Sequence, residues 1–420
     1  MSIIPVNATI KPPFTKKDSE NRRYLHILTG EGIPAVVYGT LIGGQFLTGY
    51  LMFLGASSSQ IGLVLAIPTL ANVLQIPFAT FSHKLHRKWG FVALASLHRI
   101  CWTATGFIPF LFPRELWIPV YLVLYTLAFI ANATSGMMWT SLVGDMVLPQ
   151  VRARYMGFRN MLLNAFGSLA LFAGGQILDR YPGGQGYRIL FAIITVMMVL
   201  NIIMFTAYPN LPLERSTATG LKSMVSLPLR DRAFMRATLF LSVWLLLQGA
   251  VVPFYSFIML NDLGLSQGRV SAMTILQTLA MVASFSIWGQ LNARYSNKQL
   301  LFWTLPVIAA SCLCWGLLSV LPVMLVLSLV HLLIGFGTGG FNQLVFNFII
   351  GDTPKSERPM FIAVYSAITG VAGFIGPIAG GWIFEELKGS PQWLQTYGVP
   401  LSIGAVLLLM VLTLARRALR

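Results

Sequence analysis

The sequence predicts an all-α membrane protein of twelve transmembrane helices, arranged as two pseudo-symmetric bundles of six. Three observations predict it. Of 420 residues, 56% are hydrophobic and only 10% charged, against about 45–50% and 25% in soluble domains. With a mean hydropathy of +0.72, the chain carries more apolar surface than a soluble fold can hide. Apolar runs of about 20 residues recur along it, the length a helix needs to cross a hydrocarbon core of about 30 Å. Finally, the chain repeats itself at an offset of 206: Arg152, Tyr155, Ala173, Gly174 and Gly175 fall on Arg358, Phe361, Ala379, Gly380 and Gly381, and Leu85 falls on Leu291. Gly144-Asp145 meets Gly351-Asp352 with one residue of slippage. An even number of spans per copy makes the repeat parallel, about an axis along the membrane normal.

In order, the apolar segments are 30–54, 60–82, 90–112, 116–143, 155–178 and 187–208, then 235–260, 268–292, 299–320, 322–350, 360–384 and 394–415. Leu300–Ile350 has no Asp, Glu, Lys or Arg. As one helix it would be about 76 Å long at 1.5 Å per residue, so it must hold two spans, with a turn at Ser319–Pro322. Between the sixth and seventh segments lies a polar stretch with prolines at 209, 212 and 228 and with Arg215, Lys222, Arg230, Arg232 and Arg236. The expected organisation is an N-terminal segment 1–29, a first bundle 30–208, a linker 209–234, a second bundle 235–415 and a tail 416–420.

The charge is read by position. Placing the N-terminus inside puts twenty-three of the 29 Lys and Arg residues on the inner side, five outside, and Arg99 alone within a span. Short basic loops are retained in the cytoplasm, so both termini and the linker are expected there. No cleavable signal sequence is expected, and a prokaryotic inner membrane is the expected location. A net charge of +16 spread over such loops suits contact with a lipid bilayer and not with nucleic acid. Cys101, Cys312 and Cys314 all fall in apolar segments, which argues against disulfides and a metal site. No phosphate-binding loop or His-Glu-x-x-His motif is present, so neither catalysis nor a cofactor is expected. A lipid-modifying enzyme is the weaker rival, having only His83 and His86 to offer.

Two six-span halves, a basic central loop and short basic loops after spans two and eight resemble the major facilitator superfamily over nearly the whole chain. That family's loop after span two reads Gly-x-x-x-Asp-Arg-x-Gly. Here His83-Lys84-Leu85-His86-Arg87-Lys88-Trp89-Gly90 puts Arg87 where the acid belongs, and Gly289-Gln290-Leu291-Asn292-Ala293-Arg294 again lacks it. The loops after spans four and ten match better, and the resemblance implies a cytoplasmic gate of Asp145, Arg152 and Arg154 echoed by Asp352, Glu357 and Arg358. Gly370, Gly373, Gly376-Pro377 and Gly380-Gly381 in span eleven allow close helix approach. Span five keeps only Gly167 and Gly174-Gly175, so its likeness to the antiporter pattern is slight and helix packing is the stronger reading of both runs.

The resemblance implies a carrier of a small organic solute working by alternating access between the halves, as a monomer; a ligand-binding protein of the same fold that does not transport is the alternative. It also implies a cavity lined by spans one, four, seven and ten. Polar groups facing lipid are costly, so mid-depth polar residues on those spans are the binding candidates. Gln45, Asn132 and Gln248 lie roughly 18–22 Å from the nearer interface at 1.5 Å per residue. Tyr38, Trp139, Trp244, Phe254, Tyr255, Asn342, Gln343 and Asn347 would add an amphipathic wall, and Arg159, Asn160 and Asn164 a polar strip on span five. Glu31, on span one, and His331, counted as the only deep histidine, are the candidates for coupling to protons. Arg99 could bind an anionic substrate, but span three is peripheral in the resembled family, so an internal ion pair or a snorkelling head is the expected role.

Overall fold

The computed structural model describes residues 16–73, 87–147, 149–210, 227–292, 294–351 and 358–419. Among the described residues twelve helices make up the bundle: α1 (Arg22–Phe53), α2 (Ser58–Val73), α3 (Lys88–Leu111), α4 (Trp117–Met146), α5 (Pro149–Arg180), α6 (Gly184–Thr206), α7 (Arg232–Asp262), α8 (Gln267–Asn292), α9 (Asn297–Ser319), α10 (Val323–Gly351), α11 (Arg358–Glu386) and α12 (Leu394–Ala418). Eleven contain stretches long and apolar enough to span a bilayer, and α2 is a shorter apolar helix whose described part ends at residue 73. The acid-free stretch divides where expected: α9 ends at Ser319 and α10 begins at Val323.

Two interruptions fall on the first helix of each half. Within α1 the helical ladder breaks at Gly43, where Gly44 takes φ +53, a left-handed conformation that suits glycine. In α7 the helix passes into a 3₁₀ turn over Val252–Phe254, as Pro253 withholds an N–H from the ladder. The start of α7 is capped by Asp231, whose carboxylate accepts from the N–H groups of Ala233 and Phe234 at 3.0 Å each, satisfying donors a helix start leaves open.

The halves meet at the end of the bundle away from the linker, here called the far end. α2 packs along α11, and α5 along α8. A Cβ placed on Gly62 would lie 3.0 Å from Gly381 Cα, and one on Gly175 would lie 3.0 Å from Gly268 Cα. Only glycine allows such backbone approach. The α11 glycines serve two neighbours: Gly376 and Gly380 lie against α7, Gly373 and Gly381 against α2. Beside each glycine pair a carboxylate crosses the seam to a helix start. Glu385 accepts from Ser58 Oγ at 2.9 Å and Ser59 N at 3.5 Å, and Asp179 accepts from Gly268 N at 3.1 Å. Asp179 and Glu385 stand at the same 206 offset as Gly175 and Gly381, so the seam obeys the repeat.

A carboxylate at a helix N-terminus contributes about 0.3–1 kcal/mol. Replacing Asp179 and Glu385 together by alanine should therefore raise the population with the far end open roughly 3–30-fold. A cysteine introduced at Ser271, fully buried in the seam, would report this as faster labelling by a membrane-impermeant thiol reagent.

Candidate functional site

Three cavities lie along the path between the halves and inside the first half. At the far end, a space of about 520 Å³ is bordered by Gly49, Asp179, Tyr187, Ser266 and Gln267. Below it, at the break in α1, a space of about 220 Å³ is lined by Thr40, Gly43, Gln45, Asn164, Ser168, Thr274 and Thr278. Gln45 lies between the two. Its Nε2 donates to Gln267 O at 3.2 Å and to Ser271 Oγ at 2.5 Å, and its Oε1 accepts from Thr274 Oγ1 at 3.0 Å. Every one of these partners is on α8, so the amide of Gln45 fastens the first half to the second.

The third space, about 260 Å³, is a partly open cleft lined only by residues of the first half. Glu31, Ala35, Phe91, Ala95, Arg99, Asn132, Ser135, Trp139, Arg159 and Phe205 line it. It runs from mid-depth, at Arg99 and Asn132, toward the linker end, at Phe91 and Phe205. Glu31 Oε2 and Arg159 Nη2 form an ion pair at 3.4 Å with side chains only 5% and 9% exposed, and Arg159 Nε also donates to Leu28 O at 3.1 Å. Arg159 stacks on the Trp139 ring at 5.6 Å, and Trp139 Nε1 donates to Tyr208 Oη at 3.0 Å. Arg99 Nε donates to Asn201 Oδ1 at 3.0 Å, while Asn201 Nδ2 donates to Glu31 O at 3.0 Å. One chain of polar contacts thus joins α1, α3, α5 and α6.

The predicted site residues are distributed unevenly around these spaces. Glu31, Asn132, Trp139 and Arg159 share the first-half cavity; Gln45 and Asn164 share the cavity at the α1 break, where Asn164 donates to its own helix at Asn160 O, 2.8 Å away. Tyr38 is buried, donating to Arg99 O at 3.3 Å. In the second half Trp244 is fully buried, and neither its Nε1 nor the buried Oε1 atoms of Gln248 and Gln343 meet a partner. Asn342 is exposed, Phe254 stacks on Phe384 at 5.0 Å, and Tyr255 donates to Cys312 Sγ at 3.2 Å. His331 is buried with Nδ1 2.8 Å from Leu327 O of its own helix.

Two expectations need correction. His331 is not alone at depth, since His98 in α3 is 3% exposed with Nδ1 2.9 Å from Ala128 O. Arg99 forms no contact ion pair among the described residues; it meets an amide and the rings of Tyr38, at 5.2 Å, and Phe205, at 5.6 Å, and the Glu31 carboxylate acts on it from across the shared cavity. Asn201 and Phe205 on α6, and Tyr208 just after it, were missed because the resemblance implies a cavity lined by spans one, four, seven and ten; an asparagine within a 23-residue helix otherwise almost wholly apolar was the available signal. Of the expected gate, Asp352 and Glu357 lie outside the described residues, as do the side chains of Asp145, Arg152, Arg154 and Arg358; of the expected wall, so does the side chain of Asn347.

A profile of the Major Facilitator Superfamily matches residues 28–351 and 245–419. The chain belongs to that superfamily. In fold it is similar to the nucleoside transporter NupG (TM-score 0.68, 14% identity, 95% of this chain and 98% of that one) and to a D-xylose-proton symporter (TM-score 0.71, 13% identity, 94% and 98%). It is likewise similar to an inward-facing, unoccupied bacterial homolog of the lysosomal transporter Spinster (TM-score 0.71, 14% identity, 97% and 98%). By sequence it is 26% identical over 152 residues to multidrug resistance protein 3 of Bacillus subtilis and 27% identical over 149 residues to the multidrug export protein EmrB of Haemophilus influenzae. Those matches take in 36% and 35% of this chain and 28% of each relative. This superfamily member is a multi-pass membrane protein.

Breaking a buried ion pair from one side leaves the other charge uncompensated, at a cost of about 3–5 kcal/mol. Glu31→Gln and Arg159→Gln should each lower the thermal unfolding midpoint of the purified protein more than the double substitution does. A double variant at least as unstable as the sum of the singles would show that the pair is not coupled in this way.

Proposed function

We propose that this chain is a secondary carrier that moves a small organic solute across a prokaryotic inner membrane by rocking its two six-helix halves, working as a monomer with both termini and the 209–234 linker in the cytoplasm. The observation that carries the reading is the far-end seam. Two helix pairs related by the internal repeat close one end of the bundle through glycine-to-glycine contacts, while a polar cavity lies beneath that closure. Under this orientation the far end is extracellular and the state is inward-facing.

The roles follow from geometry. Gln45 acts as a bolt between the outer space and the cavity at the α1 break, holding α8 until the halves part. Asn132, Gln248 and Gln343 are contacts for solute: the first lines a cavity, and the other two have buried carbonyl oxygens without a partner, a state that costs about 1–3 kcal/mol and that a ligand donor would relieve. For coupling to protons, Glu31 is favoured over His331, because Glu31 faces a cavity and an arginine while the His331 ring is committed to its own helix. The gate proposed from sequence, Asp145, Arg152 and Arg154 against Asp352, Glu357 and Arg358, would then hold the cytoplasmic end in the opposite state.

Thermal stabilisation of the purified protein by a panel of metabolites and drugs, followed by counterflow of each hit in proteoliposomes, tests the reading, since a ligand stabilises the state it binds. A hit that is transported, and whose binding weakens about tenfold or more in Asn132→Ala or Gln248→Ala, is the expected result. Binding without flux would instead make the protein a sensor of the same fold.

A further inference from the structure

We propose that the cavity within the first half is an anion site that holds the carboxylate of a small, largely apolar organic acid on Arg99, which sets the substrate class of the carrier. This rests on the carrier reading above. The charge, geometry and lining of that cavity carry it.

The cavity lining has an unbalanced charge. Two guanidiniums, Arg99 and Arg159, face one carboxylate, Glu31, and that carboxylate is paired with Arg159. A cation held inside a membrane bundle is costly unless a partner offsets it. Arg99 shares the Glu31 carboxylate across the cavity with Arg159, which holds the closer contact, and is otherwise met by the neutral Asn201 and two aromatic faces, so its compensation is partial.

The unused part of Arg99 is the part that binds carboxylates. Its Nε is occupied by Asn201, which fixes the plane of the guanidinium. Among the described residues no hydrogen-bond acceptor is placed on its two Nη groups, and Arg99 lines the cavity. Parallel N–H groups on a fixed plane match the two oxygens of a carboxylate.

The remaining lining selects what the carboxylate is attached to. Phe91, Trp139 and Phe205 with Ala35 and Ala95 give an apolar wall, and Asn132 and Ser135 place neutral polar groups on one side of it. A volume of about 260 Å³ is at the small end of ligand pockets, which suits a single ring or a short chain and excludes a nucleotide. The site is also off the pseudo-symmetry axis: all its lining residues belong to the first half, so it can keep its occupant while the seam opens.

The test compares three acids, acetate, phenylacetate and indole-3-acetate, each with its neutral amide, and adds sodium chloride and inorganic phosphate as simple anions. Equilibrium binding is measured on the purified wild-type protein and on Arg99→Gln and Arg99→Lys. At least one of the two aromatic acids should bind ten times or more tightly than its amide. That preference should vanish in Arg99→Gln and survive in weakened form in Arg99→Lys, which keeps the charge and loses the fork.

A purely structural Arg99 would lower the unfolding midpoint in Arg99→Gln and leave any acid-over-amide ratio unchanged, which would overturn the proposal. So would three acids that never outbind their amides, a comparison that needs no variant. Chloride or phosphate displacing the acid at equal concentration would overturn it too, leaving a general anion site. A neutral solute that is transported while no acid binds would sink this inference and spare the carrier reading; no flux of any bound solute in proteoliposomes would sink the carrier reading.

Discussion

The contact on which this structure depends is backbone against backbone at the far-end seam, Gly62 with Gly381 and Gly175 with Gly268. At Gly62–Gly381 the backbones meet directly, and at Gly175–Gly268 the small Ser271 side chain packs beside the backbone contact, so helices from opposite halves approach closely and gain dispersion along α2–α11 and α5–α8. No large side chain interlocks across the glycines, so the seam can part without unthreading a packed core. The carboxylates of Asp179 and Glu385 then act on the helix starts at the edge of each pair, where their attraction is greatest when the seam is shut.

Away from the seam the two halves are built differently despite their repeat. The first half holds its charged residues in one chain of contacts, from Arg159 through Glu31 and Asn201 to Arg99. The second half has aromatic and amide groups instead, with Trp244, Gln248 and Gln343 leaving polar atoms without partners. Pseudo-symmetry therefore describes the scaffold and its hinge surfaces, while the chemistry is asymmetric. A solute with one charged end and one apolar body would be read mainly by the first half.

Much of the scaffold was legible in the sequence because bilayer thickness sets helix length: the turn at Ser319–Pro322 follows from the impossibility of a 76 Å span. Gly175 and Gly381 were visible as spacing, and close packing is what they do, but their partners Gly62 and Gly268 were not singled out, since one-dimensional order does not tell which helices cross. Depth along a helix was also readable, and it found Glu31, Asn132 and Gln45. Direction around the helix was not readable. Helices α4 and α5 have little amphipathic contrast, because in lipid both the buried and the exposed face are apolar. Arg99 was expected to seek an ion pair or the interface because span three is peripheral in the resembled family, and Asn201 was passed over, although the two meet inside the first half.

The central claim is that the halves rock as bodies about the far-end seam. It is tested most directly by pulsed electron-spin distance measurements on two label pairs, Glu115 with Asn261 at the far end and Arg23 with Arg236 at the linker end, with and without Gly381→Val. The added side chain cannot fit against Gly62 Cα, 3.0 Å from the new Cβ. The account predicts that the far-end distance lengthens while the linker-end distance shortens in the same protein. A longer far-end distance with the linker end unchanged would mean local disruption, and would contradict rocking.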